Sequence, residues 1–125
     1  MDKKVKRELR ELAAILAEWS RGYEVQVYLF GSRVRGDEID SSDVDVCIEF
    51  DMSAGDQEAN QKTIDWWTRE NSENFGSINK CLPGELQILA PNDPVREEVM
   101  SGRQVHQNGN VRCIWLPRKK PKRSP

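Results

Sequence analysis

The chain has one histidine, His106, and only three cysteines, Cys47, Cys81 and Cys113, at wide spacings. It contains no CxxC pair and no Cys/His cluster, which excludes a zinc-type site, and an odd cysteine count argues against a disulfide framework. No apolar run reaches the length of a membrane span, and no secretory signal opens the chain. A reducing, cytoplasmic setting with no membrane is the expectation, with the cysteines as plain core or surface residues. A single histidine also leaves Ser32 without a credible base for nucleophilic catalysis. Near the end of an expected helix, His106 reads as a surface or packing residue. The Gly31-Ser32 step lacks the Lys-Ser/Thr of a P-loop and the third glycine of a dinucleotide fingerprint. Arg35-Gly36-Asp37 spells an adhesion tripeptide, which a cytoplasmic chain would leave without a partner.

At 125 residues, 37% of them apolar, the chain is long enough for one domain with a real core. Its net charge is only -2, but the charge is unevenly placed. Residues 36–60 hold nine acidic side chains and no Lys or Arg, a negative field suited to gathering cations rather than nucleic acid. Residues 112–125 hold six basic side chains and no acid. The closing stretch "PRKKPKRSP" reads as disordered by composition. The expected organisation is a domain over 1–116 and a basic tail over 117–125. With no interleaved aromatics and an acidic body, the tail reads as a solubilising or partner-docking segment before a nucleic-acid contact.

Val5, Leu9, Leu12, Leu16 and Trp19 fall at helical steps, which predicts an amphipathic helix of about 17 residues ended by Gly22. "YEVQVYLF" (23–30) and "DVDVCIEF" (43–50) alternate and predict strands, with a short basic turn or helix after Gly31-Ser32. Helical signal returns over 57–72, where Ile64 and Trp67 pair, and Trp66 and Trp67 read as packing residues. "GELQILA" (84–90) predicts a third strand. Asp93 and Pro94 open a helix that Gly102 closes, and "NVRCIWL" (110–116) reads as a fourth, edge strand. The order helix, strand, strand, helix, strand, helix, strand describes an α/β (α+β) domain: a small mixed sheet flanked by helices.

The chemistry concentrates in "LFGSRVRGDEIDSSDVDVCIEF" (29–50). Asp43 and Asp45, two apart on a strand, point to one face about 7 Å apart. Two carboxylates so placed repel each other and resist desolvation unless something positive offsets them. Divalent cations would do so, and Mg²⁺ prefers one or two carboxylates plus phosphate oxygens to a full protein cage. A pair of such ions can activate an attacking oxygen and stabilise a leaving one at phosphorus. Gly31 would let backbone approach a phosphate, Ser32 could donate its hydroxyl and amide, and Arg33 and Arg35 supply cationic donors.

Gly31-Ser32, ten residues, then Asp43-x-Asp45, with "RVRG" after the serine and Ser42 before the first aspartate, resembles the minimal nucleotidyltransferases of the DNA polymerase β superfamily. The likeness is clear over about 25–51 and looser to about 106, where "REEVMSGRQVH" is similar to the family's closing helix. The resemblance implies a palm-like sheet, a two-metal Mg²⁺ site on Asp43 and Asp45, and nucleotide held by Gly31, Ser32, Arg33, Arg35 and Ser42. It implies transfer of a nucleoside monophosphate from an NTP, with ATP as the expected donor, to a hydroxyl. Family members carry a third carboxylate on the next strand. Here Gln87 aligns with it, and Glu85, two residues earlier on the same face, can substitute if the register shifts.

Larger relatives use a second domain to hold the acceptor, so the acceptor here is expected to bring its own surface. By resemblance that partner is a HEPN-type toxin whose tyrosine receives AMP, which makes this chain an antitoxin. The alternative is a catalytically reduced protein of the same fold that binds a nucleotide or partner and acts as a regulator by contact alone.

Overall fold

The computed structural model describes residues 3–21, 25–36, 43–50, 58, 61, 78, 80–89 and 93–117. The expected helix over 57–72, with Ile64, Trp66 and Trp67, lies outside the described residues except for Glu58 and Gln61, which are helical. Gly22, Tyr23, Ser42 and residues 118–125 of the basic tail also lie outside them.

The first helix, α1 (Lys3–Trp19), has the expected 17 residues and buries Leu9, Leu12, Ala13 and Leu16. Its end is pinned from two sides. Buried Ser20 donates its hydroxyl to the Leu16 carbonyl at 2.8 Å, and the Asn110 amide donates to Ser20 Oγ at 3.0 Å and to the Val25 carbonyl at 2.9 Å. Strand β1 (Val25–Phe30) follows, then the single-turn helix α2 (Ser32–Arg35) and β2 (Val44–Phe50). Among the described residues there follow β3 (Leu86–Ile88), α3 (Val95–Ser101), β4 (Arg103–Asn108) and β5 (Val111–Trp115).

The five strands form one mixed sheet in the order β3-β2-β1-β5-β4. Pairing is antiparallel for β1 with β2 and for β4 with β5, and parallel for β1 with β5 and β2 with β3. Strand alternation divides the core. Val27, Leu29, Val44, Val46 and Val111 pack beneath α1, while Tyr28, Cys47 and Ile114 meet Val99 of α3 on the other face. This is the mixed α/β architecture, a small mixed sheet flanked by helices, that the strand and helix pattern predicts.

Two readings are corrected. The stretch similar to a closing helix is helical only to Ser101, and Arg103–Asn108 is a strand, so His106 sits on β4 and not near a helix end. Strand β5 is therefore interior, and β4 is the edge. The turn between them uses Gly109 at φ 54 and Asn110, a two-residue loop with positive φ only at its first position, as in a type II′ turn. Asp93 does cap α3, accepting the Val95 amide at 3.0 Å. Gly102 closes that helix in extended backbone (φ -72, ψ 170) rather than a left-handed cap. A Cβ there would overlap Ile114 Cγ2 and stand 2.7 Å from Leu116 Cδ2, so glycine is required by the packing of α3 against β5.

Candidate active site

Strand β1 runs through Phe30 into Gly31, which turns the chain at φ 88, ψ -156, a region open essentially to glycine alone. The Gly31 carbonyl accepts the amides of Val34 and Arg35, both at 3.1 Å, and Ser32 O accepts Gly36 N at 2.8 Å, closing α2 as one turn. Antiparallel pairing sets Phe30 opposite Asp45. The glycine and the carboxylate therefore meet: a Cβ on Gly31 would overlap Asp45 Oδ2 and stand 3.3 Å from its Cγ.

Asp45 is half-buried and Asp43 exposed, at the entry to β2. Burial pushes the Asp45 carboxyl above its ordinary value; the Asp43 charge adds to this and the Arg35 guanidinium partly offsets it. The repulsion expected from an Asp-x-Asp pair is thus present, with Arg35 as the cation that answers it within the chain. The two arginines part company. Arg33 is buried and lines a cavity of about 580 Å³ on the α1 side with Glu8, Glu11, Leu12, Ile15, Leu82 and others. Residues two apart on a helix face away from each other, so a single turn cannot aim both guanidinium groups at one carboxylate.

Parallel pairing of β2 with β3 puts Gln87 in register with Asp45. Glu85, one residue before β3, accepts the Val44 amide at 2.8 Å through its carbonyl, and its side chain is exposed, as is that of Gln87. Among the described residues no group of three or more His, Cys, Asp or Glu side chains is gathered as a metal cage. Two carboxylates with one desolvated and both in mutual repulsion still fit the partial donor set that Mg²⁺ takes beside phosphate oxygens.

Sequence reasoning missed Arg96. From α3 it pairs with Glu49 Oε2 and donates from Nη1 to the Ile48 carbonyl at 3.3 Å, tying α3 to β2 on the face that carries Asp45. Nothing in "PVREEVM" signals this, because the contact joins residues 47 and 48 apart in sequence.

Residues 4–81, more than half of the 125, match the family model described as a nucleotidyltransferase domain. The chain belongs to that family. The match takes in α1, β1, α2 and β2, hence Gly31, Ser32, Asp43 and Asp45, and ends before Glu85 and Gln87. No curated protein and no solved structure matches the chain. Among the described residues no helix of the nucleotidyltransferase domain is long and apolar enough to cross a membrane.

Proposed function

We propose that this nucleotidyltransferase domain transfers a nucleoside monophosphate from an NTP, with ATP as donor, to a hydroxyl on a protein partner in the cytoplasm. The observation that carries the reading is the contact of Asp45 with Gly31: a turn that only glycine adopts readily is built directly against a half-buried carboxylate that has a second carboxylate beside it. Asp43 and Asp45 would hold Mg²⁺. When bound, the metal neutralises phosphate charge and favours ionisation of the attacking hydroxyl.

The chain's own groups do the rest. The Ser32 hydroxyl and the amides of the Gly31–Ser32 turn orient the donor phosphates, with Ser42 completing the grip. Arg35 sets its charge beside Asp45 and the incoming phosphates. Arg33, on the α1 side, supports this turn from behind. The acceptor oxygen attacks the α-phosphorus, the bond to pyrophosphate breaks, and Glu85 takes the acceptor's proton. A tyrosine of a HEPN-type toxin is the acceptor this reading favours, which makes the chain an antitoxin. That partner rests on family resemblance alone.

Gln87 in register with Asp45 favours a second reading, a reduced enzyme that binds nucleotide or partner and regulates by contact, because an amide cannot accept the proton. One assay separates the two. The chain is mixed with host lysate, Mg²⁺ and each α-labelled NTP, beside Asp45→Asn. A labelled acceptor that depends on Asp45 supports transfer and names the nucleotide. Mg²⁺-dependent NTP binding without any label would replace transfer by the contact reading.

A further inference from the structure

On the face of the sheet away from Asp45, α1 and the edge strand β4 enclose a cleft of about 350 Å³. Among the described residues its lining is Lys6, Leu9, Arg10, Arg103, Val105 and His106, three cations and an imidazole around two apolar side chains, with no acid among them. We propose that this cleft is a second binding site, for a small phosphate-bearing anion.

Three features converge on it. Lys6 and Arg10 are one helical turn apart on α1 and so share a face. On β4 the pairing passes from Gln104↔Ile114 to His106↔Cys113, which makes Val105 the extra residue of a bulge. Regular alternation would send Val105 and His106 to opposite faces; the bulge brings both to the cleft, a re-aiming of side chains that bulges commonly serve. The Arg103 guanidinium lies 5.2 Å over the Trp115 ring, which holds its planar donors in place.

Guarding an edge strand against pairing explains charge on β4, but not Lys6 and Arg10 on the helix facing it. Among the described residues none of the four pairs with an acid, whereas on the same helix Lys4 pairs with Glu8, and Glu18 pairs with Arg21 just beyond it. Gathered cations repel one another, and a bound anion removes that cost. A phosphoryl group takes two or three charge-assisted hydrogen bonds, and Leu9 with Val105 offers a small apolar floor for the rest of the ligand. The volume lies at the low end for small-molecule pockets, roughly 300 to 1,000 Å³, which suits a small ligand before an extended strand. β4 lies three strand steps from β2, roughly 14 Å across the sheet, so the cleft is separate from the carboxylate pair.

The test is an amide-resolved NMR titration of the full chain with pyrophosphate, without divalent metal and at constant ionic strength, with inorganic phosphate and AMP as parallel arms. Saturable shifts at residues 6–10 and 103–106 are expected, with Kd on the order of 0.1 mM for the best probe. Arg103→Gln and, separately, Lys6→Gln should each weaken binding about tenfold while the spectrum stays dispersed. Lys6 is exposed, so its variant serves if Arg103→Gln does not fold. No saturable shift, shifts confined to residues 31–35 and 43–45, or indifference to both variants would overturn the proposal. A single-stranded oligonucleotide that binds the cleft more tightly than any small anion would also overturn it, in favour of nucleic acid.

Discussion

Gly31 and Asp45 stand so close across the β1–β2 pair that the hydrogen on Gly31 Cα occupies the last space beside the carboxylate. One glycine thereby answers two demands: backbone at φ 88, ψ -156, and room for Oδ2. Sequence alone suggested that Gly31 admits a phosphate; the tertiary contact shows that it also admits Asp45.

Gly31→Ala should therefore do more harm than an ordinary turn substitution. Strain in that backbone region costs about 1–3 kcal/mol, and displacement of Asp45 adds to it. A lower urea midpoint with an unchanged slope, and transfer reduced at least about 100-fold, are expected. Wild-type stability in the variant would show that the turn relaxes freely.

Asp45→Asn should separate activity from stability. The folded-state pKa of Asp45 is raised, so its favourable contribution is complete below the ordinary carboxylate value of 3.8 and is lost as pH rises through the folded value. From pH 4 towards 7 wild type should lose stability relative to Asp45→Asn in denaturant titrations. At neutral pH the variant should be as stable or more so, yet inactive. Mg²⁺ should raise the Tm of wild type and not of the variant. A variant that is less stable at pH 7 would contradict the repulsion described above.

Glu85 and Gln87 can be ranked by exchange. If Glu85 takes the acceptor's proton, Glu85→Gln should lower kcat by about 10²–10⁴ and leave NTP binding intact. Gln87→Glu, placing a carboxylate in register with Asp45, should raise transfer or metal affinity. Unchanged kcat in Glu85→Gln would remove Glu85 from the chemistry.

The cysteines should differ sharply in reactivity. Burial pushes the Cys113 thiol up to about 12, and Cys47, also buried, is raised as well, whereas Cys81 is exposed. The thiolate is the reactive form, so native protein with iodoacetamide at pH 8 should take one label, on Cys81, by intact-mass and peptide analysis. Rapid labelling of Cys113 would mean that the sheet opens around β5.

Much of this was legible in the chain because its signals are local. The 3.6-residue spacing of Leu9, Leu12 and Leu16 suffices for α1, and strict alternation over 25–30 and 44–50 suffices for the strands that bring Gly31-Ser32 beside Asp43-x-Asp45. Strand β4 escaped that reading because "RQVHQN" has no apolar alternation. Its extended form comes from backbone pairing with β5, although Gly109-Asn110 marks the hairpin.

What the sequence determined by itself is the periodic frame and the identity of the chemistry-bearing residues, since both depend on neighbours a few positions away. Only the tertiary structure decided that Arg35 and not Arg33 acts on Asp45, that Gln87 stands in register with that carboxylate, that Arg96 ties α3 to β2, and that β4 is the edge. Each of these depends on which strands and helices become neighbours, a choice made by burial of the whole core and invisible to any local pattern.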